Sequence, residues 1–152
     1  MKNTIKISMI IIAGTLGIIS CSSDDDNGLD TQKPVIVLNE PQNDAELHFG
    51  EIMHLNAEFS DNVGLASYKI EIHSAGDGHI HKNGEEEEWF YAESHPITGS
   101  PQNYTADKEI PIPLEINGEP IHEGHYHVGI YLVDTSGNEQ QLFTEVEIHA
   151  PH

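Results

Sequence analysis

The chain has 152 residues, about one domain's worth, with 26 acidic residues, six lysines and no arginine, a formal net charge of −20. Such a balance gives no means of neutralising phosphates, which argues against nucleic-acid binding, and it repels anionic lipid surfaces and polyanionic substrates. The lone cysteine excludes an intramolecular disulfide and any multi-cysteine zinc or iron–sulfur site, while eleven histidines stand out in the composition.

Lys2 and Lys6 precede an apolar run, Ile7 to Ile19, too short for a comfortable membrane span. The run closes as Leu16-Gly17-Ile18-Ile19-Ser20-Cys21. An aliphatic residue, a small residue and then cysteine resemble the bacterial lipobox, which implies cleavage after Ser20 and acylation of Cys21. Ser22-Ser23-Asp24-Asp25-Asp26 follows and resembles the export signal of surface lipoproteins of the Bacteroidota. A plain solvated tether accounts for the same residues. The expected organisation is a signal peptide at 1–20, a flexible acidic tether at 21–32 and one domain at 33–150, in an outer-membrane lipoprotein displayed at the cell surface.

From Lys33 onward apolar residues alternate with polar ones, broken by turn residues, with no convincing helix. Strands are predicted at Pro34 to Leu38, Ile52 to Phe59, Leu65 to His73, Lys108 to Ile116, Gly124 to Asp134 and Gln140 to His149. Inward faces are expected to carry Met53, Leu55, Ala57 and Phe59; Tyr68, Ile70 and Ile72; Ile110, Ile112, Leu114 and Ile116; Tyr126, Val128, Ile130 and Leu132; and Val146 and Ile148. Asp61-Asn62-Val63-Gly64 and Asp134-Thr135-Ser136-Gly137-Asn138 read as turns. Their aspartates also have the chemistry of calcium ligands at loop ends, but turn formation explains them more cheaply. Residues 75–103 are irregular and hold the acidic run Glu85 to Glu88 and Trp89-Phe90-Tyr91. The acidic run reads as a solvated stretch and the aromatics as a short edge strand anchoring the loop. About seven strands predict an all-β, immunoglobulin-like sandwich.

From the lipobox to the last strand the chain resembles a family of uncharacterised Bacteroidota lipoproteins with a single Ig-like domain of unknown function. Asp61-Asn62-Val63-Gly64-Leu65 resembles the turn between the second and third strands of bacterial Ig-like modules, and Gly124-His125-Tyr126-His127-Val128-Gly129-Ile130 followed by Asp134-Thr135-Ser136-Gly137-Asn138 resembles their last hairpin. The most distinctive part is Tyr68-Lys69-Ile70-Glu71-Ile72-His73 running into Asp77-Gly78-His79-Ile80-His81. The resemblance implies fold and location and brings no activity with it.

Strand order decides which histidines can meet. In an Ig-like sandwich the third, sixth and seventh strands share a sheet, with the sixth in the middle and antiparallel to both. That places His73, His125, His127 and His149 outward at one end of one sheet. His122 lies in the loop feeding the sixth strand, and His79 and His81 in the loop leaving the third. His54 falls outward on the opposite sheet, while His48, His95 and His152 have no assigned place. In the two His-x-His pairs, on a strand, both rings face the same side, about 7 Å apart at the backbone. Neutral imidazole is a good ligand for borderline divalent metals, and Glu71, Asp77 and Glu147 can ligate or orient the rings. Zinc is the first expectation, with copper(II) or nickel(II) compatible. Absence of a free thiolate, together with an inward Met53, disfavours copper(I). Chance clustering and a pH-titrating histidine group are the competing explanations.

Gly-x-Ser-x-Gly, His-Glu-x-x-His and a phosphate-cradling glycine loop are all absent, so no enzyme is expected. Two function classes remain. One is a surface-anchored module capturing or buffering divalent metal. The other is an adhesion or accessory module that contacts a protein or glycan through the acidic loop and Trp89-Phe90-Tyr91.

Overall fold

Alternation at period two carries directly into the sheets of the computed structural model, which describes residues 29–76 and 88–151. Ten strands follow in chain order: β1 (Val35–Glu40), β2 (Ala45–His48), β3 (Ile52–Ser60), β4 (Leu65–Ser74), β5 (Tyr91–Pro96), β6 (Asn103–Pro111), β7 (Glu115–Ile116), β8 (Glu119–Pro120), β9 (Gly124–Asp134) and β10 (Glu139–His149). One sheet has the order β1-β3-β6 and the other β2-β10-β9-β4-β5, with β7-β8 as a small ribbon. The two larger sheets form an Ig-like sandwich, and the described residues contain no helix. β9 lies between β4 and β10, antiparallel to both.

The expected inward residues of β3, β4, β9 and β10 are all buried, most of them completely. Ile110 and Ile112 join them, but the fourth predicted run is corrected beyond that point. β6 begins at Asn103 and ends at Pro111. Leu114 is exposed and Ile116 belongs to β7, because Pro111 and Pro113 end regular pairing. Leu114 instead lies over Gly50, where an added Cβ would come within 2.9 Å of it. β2 was not foreseen. It is a four-residue edge strand parallel to β10, too short for alternation to announce it.

Both Asp-led turns are built as their residues dictate. The Asp61 carboxylate accepts from the backbone N–H groups of Val63 and Gly64 at 2.8 and 2.7 Å. Asp134 accepts from the backbone N–H groups of Ser136 and Asn138, each at 2.8 Å. Gly137 supplies the positive φ that the hairpin needs. Gly64 permits close approach, since a Cβ there would stand 2.6 Å from the Ser100 carbonyl oxygen.

The long connection after β4 returns through Trp89 and β5. Tyr91 opens β5 and pairs with Ile72, so the edge-strand reading holds from Tyr91 onward. Trp89 lies just ahead of the strand and plugs the core, 5% exposed, its ring 6.0 Å from that of Tyr126. Phe90 is left 64% exposed. Trp89 is therefore withdrawn from any contact surface of the kind the adhesion reading requires. Trp89→Ala should cost about 3–5 kcal/mol, the range for a large buried aromatic. Phe90→Ala should stay within about 0.5 kcal/mol. Urea unfolding of both variants checks the contrast.

Candidate functional site

Registers of β4, β9 and β10 bring a histidine–glutamate patch to the outer face of the five-stranded sheet. His73 pairs with His127 across β4 and β9, and His127 pairs with Glu145 across β9 and β10. His125 stands two residues before His127 on the same face and pairs with Glu147. These positions alternate with buried Tyr126, Val128, Val146 and Ile148, so the core fixes their outward direction.

The rings of His73 and His127 meet edge to face, centroids 5.4 Å apart. Glu145 reaches both histidines of β9, with one oxygen 3.0 Å from His125 Nδ1 and the other 3.4 Å from His127 Nε2. His73 Nδ1 lies 3.0 Å from its neighbour's carbonyl, Ser74 O. A carbonyl can only accept, so Nδ1 carries the proton and the neutral ring keeps its lone pair on Nε2, the arrangement a metal ligand needs.

Other expected members are distributed differently. His149 turns from His127 toward the β2 edge, with Nε2 3.6 Å from Glu147 and Nδ1 3.9 Å from Glu123. Its ring lies 6.2 Å from that of His48. His122 flanks the patch: an added Cβ on Gly124 would lie 3.9 Å from its Nε2. Its backbone carbonyl accepts from the buried Tyr126 hydroxyl at 2.7 Å. His79, His81, Asp77 and Cys21 lie outside the described residues. Glu71 is engaged by Lys69 at 2.6 Å. Among the described residues, no three donors of the histidine patch come within 4.8 Å of one another. Closing it on an ion requires rotation of side chains that are about two-fifths exposed at His125 and His127.

Two participants escaped the sequence reading. Glu145 sits beside both rings because sheet twist favours the diagonal contact with His125 over the directly opposed Glu147. Parity gave it the right face, and only the register gave it the position. His48 depends on β2, which alternation did not reveal.

His95 serves the interior. It lies on β5, its side chain is 13% exposed, and its ring stacks on Tyr68 at 4.7 Å between centroids. Burial, reinforced by Lys108, holds its pKa below the ordinary histidine value against the opposing pull of Glu93. In the hairpin turn, burial pushes the Asp134 carboxyl up, but hydrogen bonds from Asn138, Ser136 and Gly137 outweigh it and leave the group below its usual range.

The family model described as "Domain of unknown function (DUF4625)" matches residues 19–149, and the chain belongs to that family. No curated protein matches it. Among solved structures, it is similar to the fibronectin(III)-like modules of Clostridium thermocellum CbhA, at 13% identity and a TM-score of 0.42, covering 75% of this chain and 94% of that one. It is also similar to the Pseudomonas fluorescens alkylpurine DNA glycosylase AlkC, at 12% identity and a TM-score of 0.51, covering 80% of this chain and 32% of that one. Murine CRIg matches at 9% identity and a TM-score of 0.38, over 80% of this chain and 100% of that one. These likenesses concern the fold alone.

Histidine 95 gives the domain a pH dependence of definite sign. Its folded pKa is depressed, so below about 6.5 the unfolded chain takes up a proton that the folded one resists. Stability is therefore lost as pH falls from about 6.5 toward the depressed value. His95→Phe keeps the stacking and removes the proton, so its stability should fall less steeply between pH 7 and 5. Urea midpoints across that range read the difference.

Proposed function

We propose that this DUF4625 chain is a membrane-anchored, surface-displayed lipoprotein whose Ig-like module captures or buffers a divalent transition metal, zinc foremost, without catalysing a reaction. The observation that carries this reading is the cross-strand set His73, His125, His127 and Glu145, with the Nε2 lone pair of His73 left available by the Ser74 carbonyl. Three imidazoles and a carboxylate suit the nitrogen–oxygen coordination of zinc, and copper(II) or nickel(II) would accept the same donors. Glu145 serves either as the fourth ligand or as the group orienting both β9 rings. His122, His79 and His81 are the nearest reserves in sequence, and His149 with His48 forms an adjoining group. The acidic surroundings raise the local cation concentration. Anchoring rests on Cys21 in its lipobox setting and display on Ser22 to Asp26.

Calorimetric titration of the full chain in detergent should show zinc binding that weakens as pH falls, because each imidazole must lose its proton to bind. The His125→Ala/His127→Ala variant should stay folded, since both side chains face solvent, and should lose that binding. Zinc binding equal to wild type would remove β9 from the site. No binding of zinc, copper(II) or nickel(II) below about 100 μM, a free energy of only about 5.5 kcal/mol, would favour a partner-binding module.

Anchoring has its own test. Cys21→Ala should abolish labelling by a palmitate analogue in cells and release the protein from the membrane fraction. Labelling that survives the substitution would overturn the lipid anchor and leave metal binding to be judged alone.

A further inference from the structure

At the opposite end of the sheet from the histidines, three carboxylates converge. Asp30 precedes β1, Asp61 opens the turn into β4, and Asp134 ends β9. One carboxylate oxygen from each lies within 4.8 Å of the other two. Asp134 is 2% exposed. Asp30 is held by Asn62 Nδ2, which donates to its Oδ1 at 3.1 Å, and by Asn138 Nδ2, which donates to its backbone carbonyl at 3.0 Å.

Turn formation uses only part of this set. Asp61 Oδ2 accepts from Val63 and Gly64, yet Asp61 Oδ1 is fully buried with no hydrogen-bond donor. Asp30 Oδ1 accepts from Asn62 and from the Gln32 N–H, yet Asp30 Oδ2 is likewise buried without a donor. Two buried, unpartnered carboxylate oxygens beside a third buried carboxylate are unfavourable twice over, by lost solvation and by like-charge repulsion. The ion pairs of the described residues all lie elsewhere. A cation among the three would relieve both penalties.

We propose that Asp30, Asp61 and Asp134 form a calcium site that ties the segment entering the domain to the β3–β4 and β9–β10 turns. The donors are all hard oxygens, with no nitrogen or sulfur, which disfavours a transition metal. Calcium–oxygen distances of about 2.3–2.6 Å let one ion touch two oxygens up to about 5 Å apart, or three spaced up to about 4.5 Å from one another. Water and further oxygens complete a shell of about six to eight. Magnesium usually keeps several waters and takes only one or two carboxylates, so three acids on irregular loops suit calcium better. Loop-built sites in extracellular modules bind at about 10⁻⁴–10⁻³ M, and this one belongs in that range.

The substitutions Asp30→Asn and Asp61→Asn test the site without dismantling the turns. An asparagine at 61 keeps an oxygen for the Val63 and Gly64 N–H groups, and Asp30 lies outside every strand. The full chain in detergent is titrated with calcium chloride by calorimetry and melted with either calcium or chelator present. Wild type should bind one calcium and melt at a higher temperature in calcium. Each variant should bind at least tenfold more weakly and lose most of that rise. In chelator the variants should melt at or above wild type, because a repelling charge has been removed. A purely structural role predicts the reverse, namely variants that melt below wild type in chelator. That result would overturn the proposal, as would wild-type binding by both variants or no calcium binding below about 10 mM. Zinc binding by the histidine patch should be the same in wild type and both variants, so the two sites stand or fall separately.

Discussion

Everything on the larger sheet depends on the parity of β9. Its even-numbered residues from Tyr126 to Leu132 are completely buried, and its neighbours β4 and β10 are registered against it over most of their length. A slip of one residue would turn that row to solvent and drive His125 and His127 into the core. Burying a side chain of this size contributes roughly 1.5–3 kcal/mol, so four in one row make the register costly to change. The outward histidines are thus positioned by contacts they do not make themselves.

The same row explains why its two ends differ chemically. Inward parity continues from Leu132 to Asp134, which is why a carboxylate there is almost fully buried. Outward parity begins at His125, whose side chain is 42% exposed. β4 spans ten residues, roughly 30 Å at strand rise, and separates Asp61 ahead of its first residue from His73 near its last. At that distance screening at physiological salt leaves little direct electrostatic coupling between the ends. Each must be understood from its own neighbours and not from the net charge of the chain.

Much of this was legible in the sequence. Clean alternation gave β3, β4, β9 and β10 and their inward residues, and the Ig-like strand order then brought His73 beside His127. Where alternation was short or interrupted, legibility failed. β2 has four residues, and proline at 111 and 113 ended β6 while the hydrophobic pattern ran on to Ile116. His48 was lost with β2. Glu145 was lost because a diagonal contact depends on local twist, which a residue pattern does not encode. Asp61 and Asp134 form the turns that their residue type predicts. Asp30 falls within the expected tether, and nothing in its neighbours announces that Asn62 and Asn138 hold it against the domain. Long-range side-chain contacts of this kind, 32 and 108 residues apart in sequence, leave no local signature.

Burial also sets how each group would meet an ion. The side chains of His125 and His127 are about two-fifths exposed, and their rings must be ordered before three donors can converge. Immobilising a side chain at a binding surface costs about 0.5–1.5 kcal/mol, so a three-histidine site assembled in this way loses several kcal/mol of its intrinsic affinity. The aspartates carry little of that cost. Asp61 is already fixed by the Val63 and Gly64 N–H groups, Asp134 by Ser136 and Asn138, and Asp30 by Asn62. Their cost lies instead in holding negative charges together, which an arriving divalent cation removes. One end of the sheet is therefore prepared in geometry and strained in charge, and the other is relaxed in charge and unprepared in geometry. A hard cation of fixed charge suits the first, while the second suits a metal whose bonds to nitrogen are strong enough to organise the rings.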